Sequence, residues 1–198
     1  MRNGLKLIFA AAFKEVEIGE AGDCREAVEA ALAQPWDLVV LDISMPGRGG
    51  LDVLKELRAQ RPNMPVLVLS MYAEQQFAVR AFRSGASGYL TKASASSELL
   101  KAVERILAGG RYVSTVLAEQ LATELGNIGT GVLHERLSDR EFEILRLIAS
   151  GKTVKEIADE LCLSGNTIST YRARILEKMK MRSNAELTHY AISNKLVE

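Results

Sequence analysis

Apolar side chains recur at helical spacing through Leu5-Lys6-Leu7-Ile8-Phe9-Ala10-Ala11-Ala12-Phe13, so the chain is expected to open on a helix. Val16-Glu17-Ile18-Gly19-Glu20-Ala21 then alternates as a short strand does. Asp23 followed by Glu26 reads as the capped, acidic first turn of a helix, AVEAALAQ, that Pro35 terminates. The continuous run Asp37-Leu38-Val39-Val40-Leu41-Asp42 predicts a strand covered on both faces, followed by the loop Pro46-Gly47-Arg48-Gly49-Gly50. Helix LDVLKELRAQ, strand Pro65–Ser70, helix EQQFAVRAFRSG, strand Ala86–Thr91 and a helix from Ser97 to about Ala108 continue the alternation. Strict strand–helix alternation implies a parallel, doubly wound sheet, hence an α/β class.

Beyond Gly109-Gly110 the pattern changes. A partly helical, then Gly- and Thr-rich segment follows, and from Leu137 onward only helical patterns remain. The expected organisation is an α/β domain over 1–112, a linker over 113–135 and an all-α domain over 136–198. In the last, Ser138 and Glu141 form a capping box before FEILRLIASG. Thr153 starts VKEIADEL, and Ser164 caps GNTISTYRARILEKM after the short connection Leu161-Cys162-Leu163. Two short helices joined by a tight turn are the geometry of a helix-turn-helix.

Composition changes the picture only locally. Lys+Arg and Asp+Glu balance at 25 each, so no overall basic excess announces a nucleic-acid partner. Between Ser164 and Arg182, however, Arg172, Arg174, Lys178, Lys180 and Arg182 face one anion, Glu177, a local excess of four positive charges. Ile168, Tyr171, Ile175 and Met179 share the core-facing spacing of that helix, which turns Ser169, Thr170, Ala173 and Arg174 outward. Such a surface neutralises phosphates with its cations and brings small polar residues to base edges in the major groove. The alternative from periodicity and charge alone is a cationic amphipathic helix in a helical bundle. Cys24 and Cys162 lie far apart without a CxxC or His cluster, which argues against a metal site and for two small hydrophobes in a reducing compartment. No apolar run approaches the roughly 20 residues that cross a bilayer, so no membrane partner and a cytoplasmic location are expected.

The stretch from LSDRE through KEIA, LSGNTI and RILEKM to NAELTHYAI resembles the LuxR-type DNA-binding domain of the NarL/FixJ family along its whole length. That resemblance implies double-stranded DNA as partner. It places Ser169, Thr170 and Ala173 toward the groove and makes Thr167, Arg172, Arg174 and Lys178 phosphate contacts. It also makes NAELTHYAISNKL a dimerisation helix, so that a homodimer reads paired half-sites, and His189 an interface or surface residue rather than a metal ligand.

In the first domain Asp42, Ser70 and Lys92 fall at or just beyond the C-terminal ends of three parallel strands, the edge where ligands bind in such sheets. A carboxylate there can accept a phosphoryl group, a hydroxyl can hydrogen-bond it and an ammonium can balance its charge. The alternative is an Asp42–Lys92 ion pair at a sheet edge and nothing more. The pattern LDISMPGRGGLDVLKELR, VLVLSMYAE and GASGYLTK resembles the receiver domain of two-component response regulators. By that resemblance Asp42 is the phosphoacceptor for a sensor histidine kinase, Ser70, Tyr89 and Lys92 are the switch and phosphate-stabilising residues, and Mg²⁺ is held by Asp42 and the backbone carbonyl of Ser44.

Receivers open on a strand followed by an acidic pair that completes the Mg²⁺ site, whereas this sequence opens at a position resembling the interior of the next helix. The expectation is therefore a flavodoxin-like sheet lacking its first strand, with two strand edges left unpaired and the domain distorted or self-associating. Either the start lies upstream of Met1 or the regulator is shortened and acts without phosphate; the otherwise ordinary receiver pattern favours the former. The expected function is a DNA-binding response regulator controlling transcription through Asp42, or else a phosphorylation-independent DNA-binding regulator with a degenerate receiver. An aspartyl-phosphate enzyme is disfavoured because Asp42-Ile43-Ser44 lacks a second Asp two residues on, so no enzymatic activity is expected.

Overall fold

The computed structural model describes residues 2–43, 49–71, 74–115, 117–119 and 133–197. Two compact units emerge, one built from the described residues up to 43 and from 50 to 119, the other holding the described residues from 133 onward.

In the first unit three parallel strands, β1 (Val39–Asp42), β2 (Val66–Ser70) and β3 (Gly88–Thr91), lie in the order β1-β2-β3. Val39 pairs with Val66 and Leu67 with Gly88, so the strands run in step. The central strand, with a partner on each side, is buried at every position; β1, with a strand on one side only, is mostly half-buried. They are accompanied by helices α1 (Arg2–Ala12), α2 (Cys24–Ala33), α3 (Gly50–Gln60), α4 (Glu74–Arg83) and α5 (Ala95–Leu107). Leu67, Leu69 and Leu90 pack with Leu99, Ala102, Val103 and Ile106 of α5. Leu5, Ile8, Phe9 and Phe13, the apolar face of the first helix, press on the same cluster without being fully buried. Tyr112 belongs to this cluster and Leu117 is fully buried, so packed structure continues past the expected boundary at 112.

One expected element is absent. Residues 16–21 are not a strand, and Val16 and Ile18 stay exposed. Alternation supplies a face but not a neighbour, and no strand among the described residues lies between this segment and β1. The segment is held instead by side chains: Lys6 bonds Glu20 at 2.6 Å, Gln34 bonds Glu17 at 3.0 Å, and Gly19 lies so close to Trp36 that a Cβ would meet its ring at 2.7 Å. Of the two unpaired edges expected, only that of β1 therefore forms.

The second unit opens with a 3₁₀ turn (Leu133–Arg136) followed by α6 (Asp139–Ala149), α7 (Val154–Leu161), α8 (Gly165–Met179) and α9 (Asn184–Ser193). Ser138 and Thr153 each form a complete capping box, with Glu141 and Glu156 respectively. Ser164 accepts from the backbone N–H of Thr167, and Ser183 from that of Glu186. Cys162 is no core hydrophobe: it is exposed and adopts a left-handed φ of 50° where the chain must turn between α7 and α8. Arg140 and Glu143 form a buried pair at 2.5 Å, and the guanidinium also donates to the Leu161 carbonyl at the end of α7. That contact ties α6 to the C-terminal end of α7.

Candidate functional site

At the C-terminal edge of the sheet the Lys92 ammonium lies 2.5 Å from a carboxylate oxygen of Asp42. The backbone N–H of Lys92 donates to the Ser70 carbonyl at 2.7 Å, which holds the end of β3 against the end of β2. Gly50 lets the start of α3 approach this edge, since a Cβ there would lie 2.4 Å from Ile43 Cα and 3.0 Å from the Asp42 carbonyl oxygen. Ser70 and Tyr89 are wholly buried, whereas Asp42 and Lys92 remain partly open to solvent. The parallel register thus brings the sequence-expected carboxylate and ammonium into contact, with Ser70 at the neighbouring strand end.

The described residues of this edge fit a magnesium ion poorly. Mg²⁺ takes a near-octahedral set of oxygen ligands. Among the described residues no group of three or more His, Cys, Asp or Glu side chains is placed to hold a metal, and Lys92 already engages the Asp42 carboxylate. Ser44, whose carbonyl was the other expected ligand, lies outside the described residues.

The second candidate surface is α8. Ile168, Ile175 and Met179 are buried on its underside and Tyr171 is half-buried, which leaves Asn166, Ser169, Thr170, Ala173 and Arg174 exposed on the opposite side. The expected cations are engaged unequally. Arg174 has no hydrogen-bond or ion-pair partner among the described residues. Arg172 donates from Nε to Asn184 Oδ1 at 2.6 Å, tying the helix to the start of α9. Lys178 bonds Glu141 at 2.6 Å, so this ammonium already ties α8 to the capping box of α6. Burial pushes the Glu141 carboxyl up, but the Lys178 ammonium and the Ser138 hydrogen bonds outweigh it and hold its pKa below the ordinary value. Thr167 is half-buried, its hydroxyl 2.8 Å from that of Ser164.

On α9, His189 is exposed beside a shallow hollow of about 570 Å³ lined by Met181, Ala185, Glu186, Tyr190 and Ser193 as well. Tyr190 reaches back to the 3₁₀ turn, its hydroxyl 3.0 Å from His134 Nδ1, and His134 also packs against Phe142. These non-local ties, like Lys178–Glu141, leave no short-range signature in the sequence. Asn166 does have one: it precedes Thr170 and Ala173 by four and seven residues, on the same stripe.

Comparison with known proteins places both units. Residues 1–104 match the response regulator receiver domain, a family that typically binds Mg²⁺, and residues 135–191 match the bacterial regulatory proteins of the luxR family. The chain is 35% identical to the response regulator GacA of Pseudomonas aeruginosa over 182 residues, covering 91% of this chain and 85% of GacA. A LuxR-family two-component response regulator from Aurantimonas sp. SI85-9A1 is 35% identical with a TM-score of 0.58, covering 62% of this chain and 88% of that one. RcsB from Salmonella enterica serovar Typhimurium, solved bound to promoter P1flhDC in the presence of phosphomimetic BeF₃⁻, is 25% identical with a TM-score of 0.53. That match covers 94% of this chain and 92% of RcsB.

Proposed function

The chain belongs to the DNA-binding two-component response regulators with a luxR-type helix-turn-helix, a family of transcription regulators rather than enzymes, and we propose that it reads operator DNA through α8 as a homodimer, with Asp42 the phosphoacceptor position facing a sensor histidine kinase. The observation that carries the DNA reading is the division of α8 into a buried apolar underside and an exposed face of small polar residues beside Arg174. Ser169, Thr170 and Ala173 approach base edges, while Thr167, Arg172, Arg174 and Lys178 meet phosphates. RcsB, solved on a promoter, supports this use of the same fold. Apolar Ala185 and Tyr190 lining an open hollow on α9 favour that helix as the dimer contact. The domain division we propose is a receiver over 1–112 whose packing reaches on to Leu117, a linker from there to 135 and the DNA-binding domain over 136–198. Among the described residues no helix is long and apolar enough to cross a membrane, and a cytoplasmic location follows from the DNA partner.

The input reading rests on the Asp42–Lys92 pair beside Ser70. A phosphoryl group on Asp42 would replace the carboxylate as the partner of Lys92, and its oxygens would draw the Ser70 hydroxyl, with buried Tyr89 repacking as Ser70 moves. The second reading, DNA binding independent of phosphate, is favoured by the poor fit of this edge to Mg²⁺. Incubating the chain with acetyl phosphate and Mg²⁺ and weighing it decides between them. The mass gain of one phosphoryl group, absent in Asp42→Asn, supports the phosphoacceptor; no gain, with DNA binding intact, supports the phosphate-independent regulator.

A further inference from the structure

The hydroxyls of the groove-facing stripe are already committed. Ser169 donates its hydroxyl hydrogen to the Gly165 carbonyl at 2.9 Å, and Thr170 donates to the Asn166 carbonyl at 2.9 Å. Such back-bonds leave each hydroxyl with lone pairs but no free donor. Ala173 offers only a methyl group, and Glu177, about one turn beyond it along the same stripe, only accepts. Asn166 differs from all of them. It is exposed in the first turn of α8, and its side-chain amide makes no hydrogen bond with any described residue. At 100° per residue, Asn166, Thr170 and Ala173 fall within about 60° of one another, opposite Ile168, Ile175 and Met179. A hollow of about 320 Å³ lined by Asn166, Thr167, Thr170, Tyr171 and Arg174 opens beside it.

We propose that Asn166 is the principal base-specifying residue of this protein and that it reads an adenine in the major groove, Nδ2 donating to adenine N7 and Oδ1 accepting from the adenine N6 amino group. The chemistry selects this base. A side-chain amide carries one acceptor and a pair of donor hydrogens a short, fixed distance apart, and adenine alone presents an acceptor and a donor adjacent on its major-groove edge in matching order. Helix-turn-helix proteins lead into the groove with the N-terminal residues of the second helix, which is where Asn166 stands. The back-bonded hydroxyls of Ser169 and Thr170 then act as acceptors toward amino groups and carry less discrimination, because every donor they could offer is occupied.

This inference rests on the DNA-binding reading, and one experiment separates the two. Duplexes are selected from a randomised library by the full chain, and affinities are measured for the preferred duplex, for versions substituted at each position and for an unrelated duplex. The expected result is an adenine required in each half-site, with roughly 5- to 150-fold weaker binding when it is replaced. In Asn166→Ala the preferred-to-substituted ratio at that position falls to near one, while preferences elsewhere persist. A duplex carrying 7-deazaadenine there, which lacks N7, weakens binding of the natural chain and not of Asn166→Ala. If Asn166→Ala keeps the adenine preference, or lowers affinity for every duplex by one common factor as loss of a phosphate contact does, the assignment is overturned. If the natural chain binds no duplex even at low salt, the DNA-binding reading itself fails and takes the assignment with it.

Discussion

Glu141 performs two tasks with one carboxylate. It accepts from the Ser138 backbone N–H at 2.7 Å to complete a capping box, and it receives the Lys178 ammonium of α8 at 2.6 Å. Only 3% of the residue is exposed, so these partners are what make its charge tolerable. Its pKa in the folded state lies below the ordinary glutamate value of about 4.3. The stabilisation linked to that shift is therefore complete above the ordinary value and is lost as pH falls through the lowered one. Glu141→Gln removes the charged acceptor, and we expect it to cost about 1.5–3 kcal/mol at neutral pH, the range for a hydrogen bond to a charged group. Urea denaturation of natural and variant chains from neutral to strongly acidic pH checks this: the difference between them should shrink as acid is added, whereas a constant difference would assign the loss to packing. A serine three residues before a glutamate disclosed half of this arrangement from sequence. The other half spans 37 residues and depends on how two helices cross.

At the scale of elements, the capped helices were legible because their signals are local. Ser138, Thr153 and Ser164 stand where the caps were expected, and Ile168, Ile175 and Met179 fall on the buried side that their spacing indicated. The strand ends carrying Asp42, Ser70 and Lys92 were legible for a related reason: a parallel sheet aligns its C-terminal ends, so placing the strands places the residues. Val16–Ala21 failed because pairing needs a neighbour that alternation does not specify. Asn166 was passed over because the sequence shows which residues carry hydroxyls but not that the helix's own carbonyls have taken their hydrogens. Helix α8 depends on its buried underside as much as on the exposed face proposed to meet DNA. Ile175 is fully buried there, and Ile175→Ala should destabilise the second unit by roughly 2–5 kcal/mol through lost burial and the cavity left behind. Calorimetry should show the loss confined to that unit's transition, and DNA affinity should fall for every sequence alike, because the helix loses its seat rather than one base contact.

Across the whole molecule, equal numbers of acidic and basic residues leave no net field to draw the protein toward DNA, so attraction must come from where the cations stand. The second unit has its own buried core, from Phe142 and Leu145 to Ile168 and Leu187. A fragment spanning 133–198 should therefore fold alone and retain the salt dependence of DNA binding shown by the full chain. Within it the cations are not equivalent. Arg174 has no described partner to give up, whereas Lys178 must be shared with Glu141. Each phosphate neutralised releases condensed counterions and adds about 0.9 to the slope of log affinity against log salt. Arg174→Ala should then lower that slope by about one in the fragment and the full chain alike. Lys178→Ala should lower it by less while also destabilising the fold, since its ammonium serves the Glu141 carboxylate first. Titrating a labelled duplex at several salt concentrations measures both slopes. Equal slope losses for the two variants would mean that Lys178 leaves Glu141 on DNA and meets a phosphate as fully as Arg174 does.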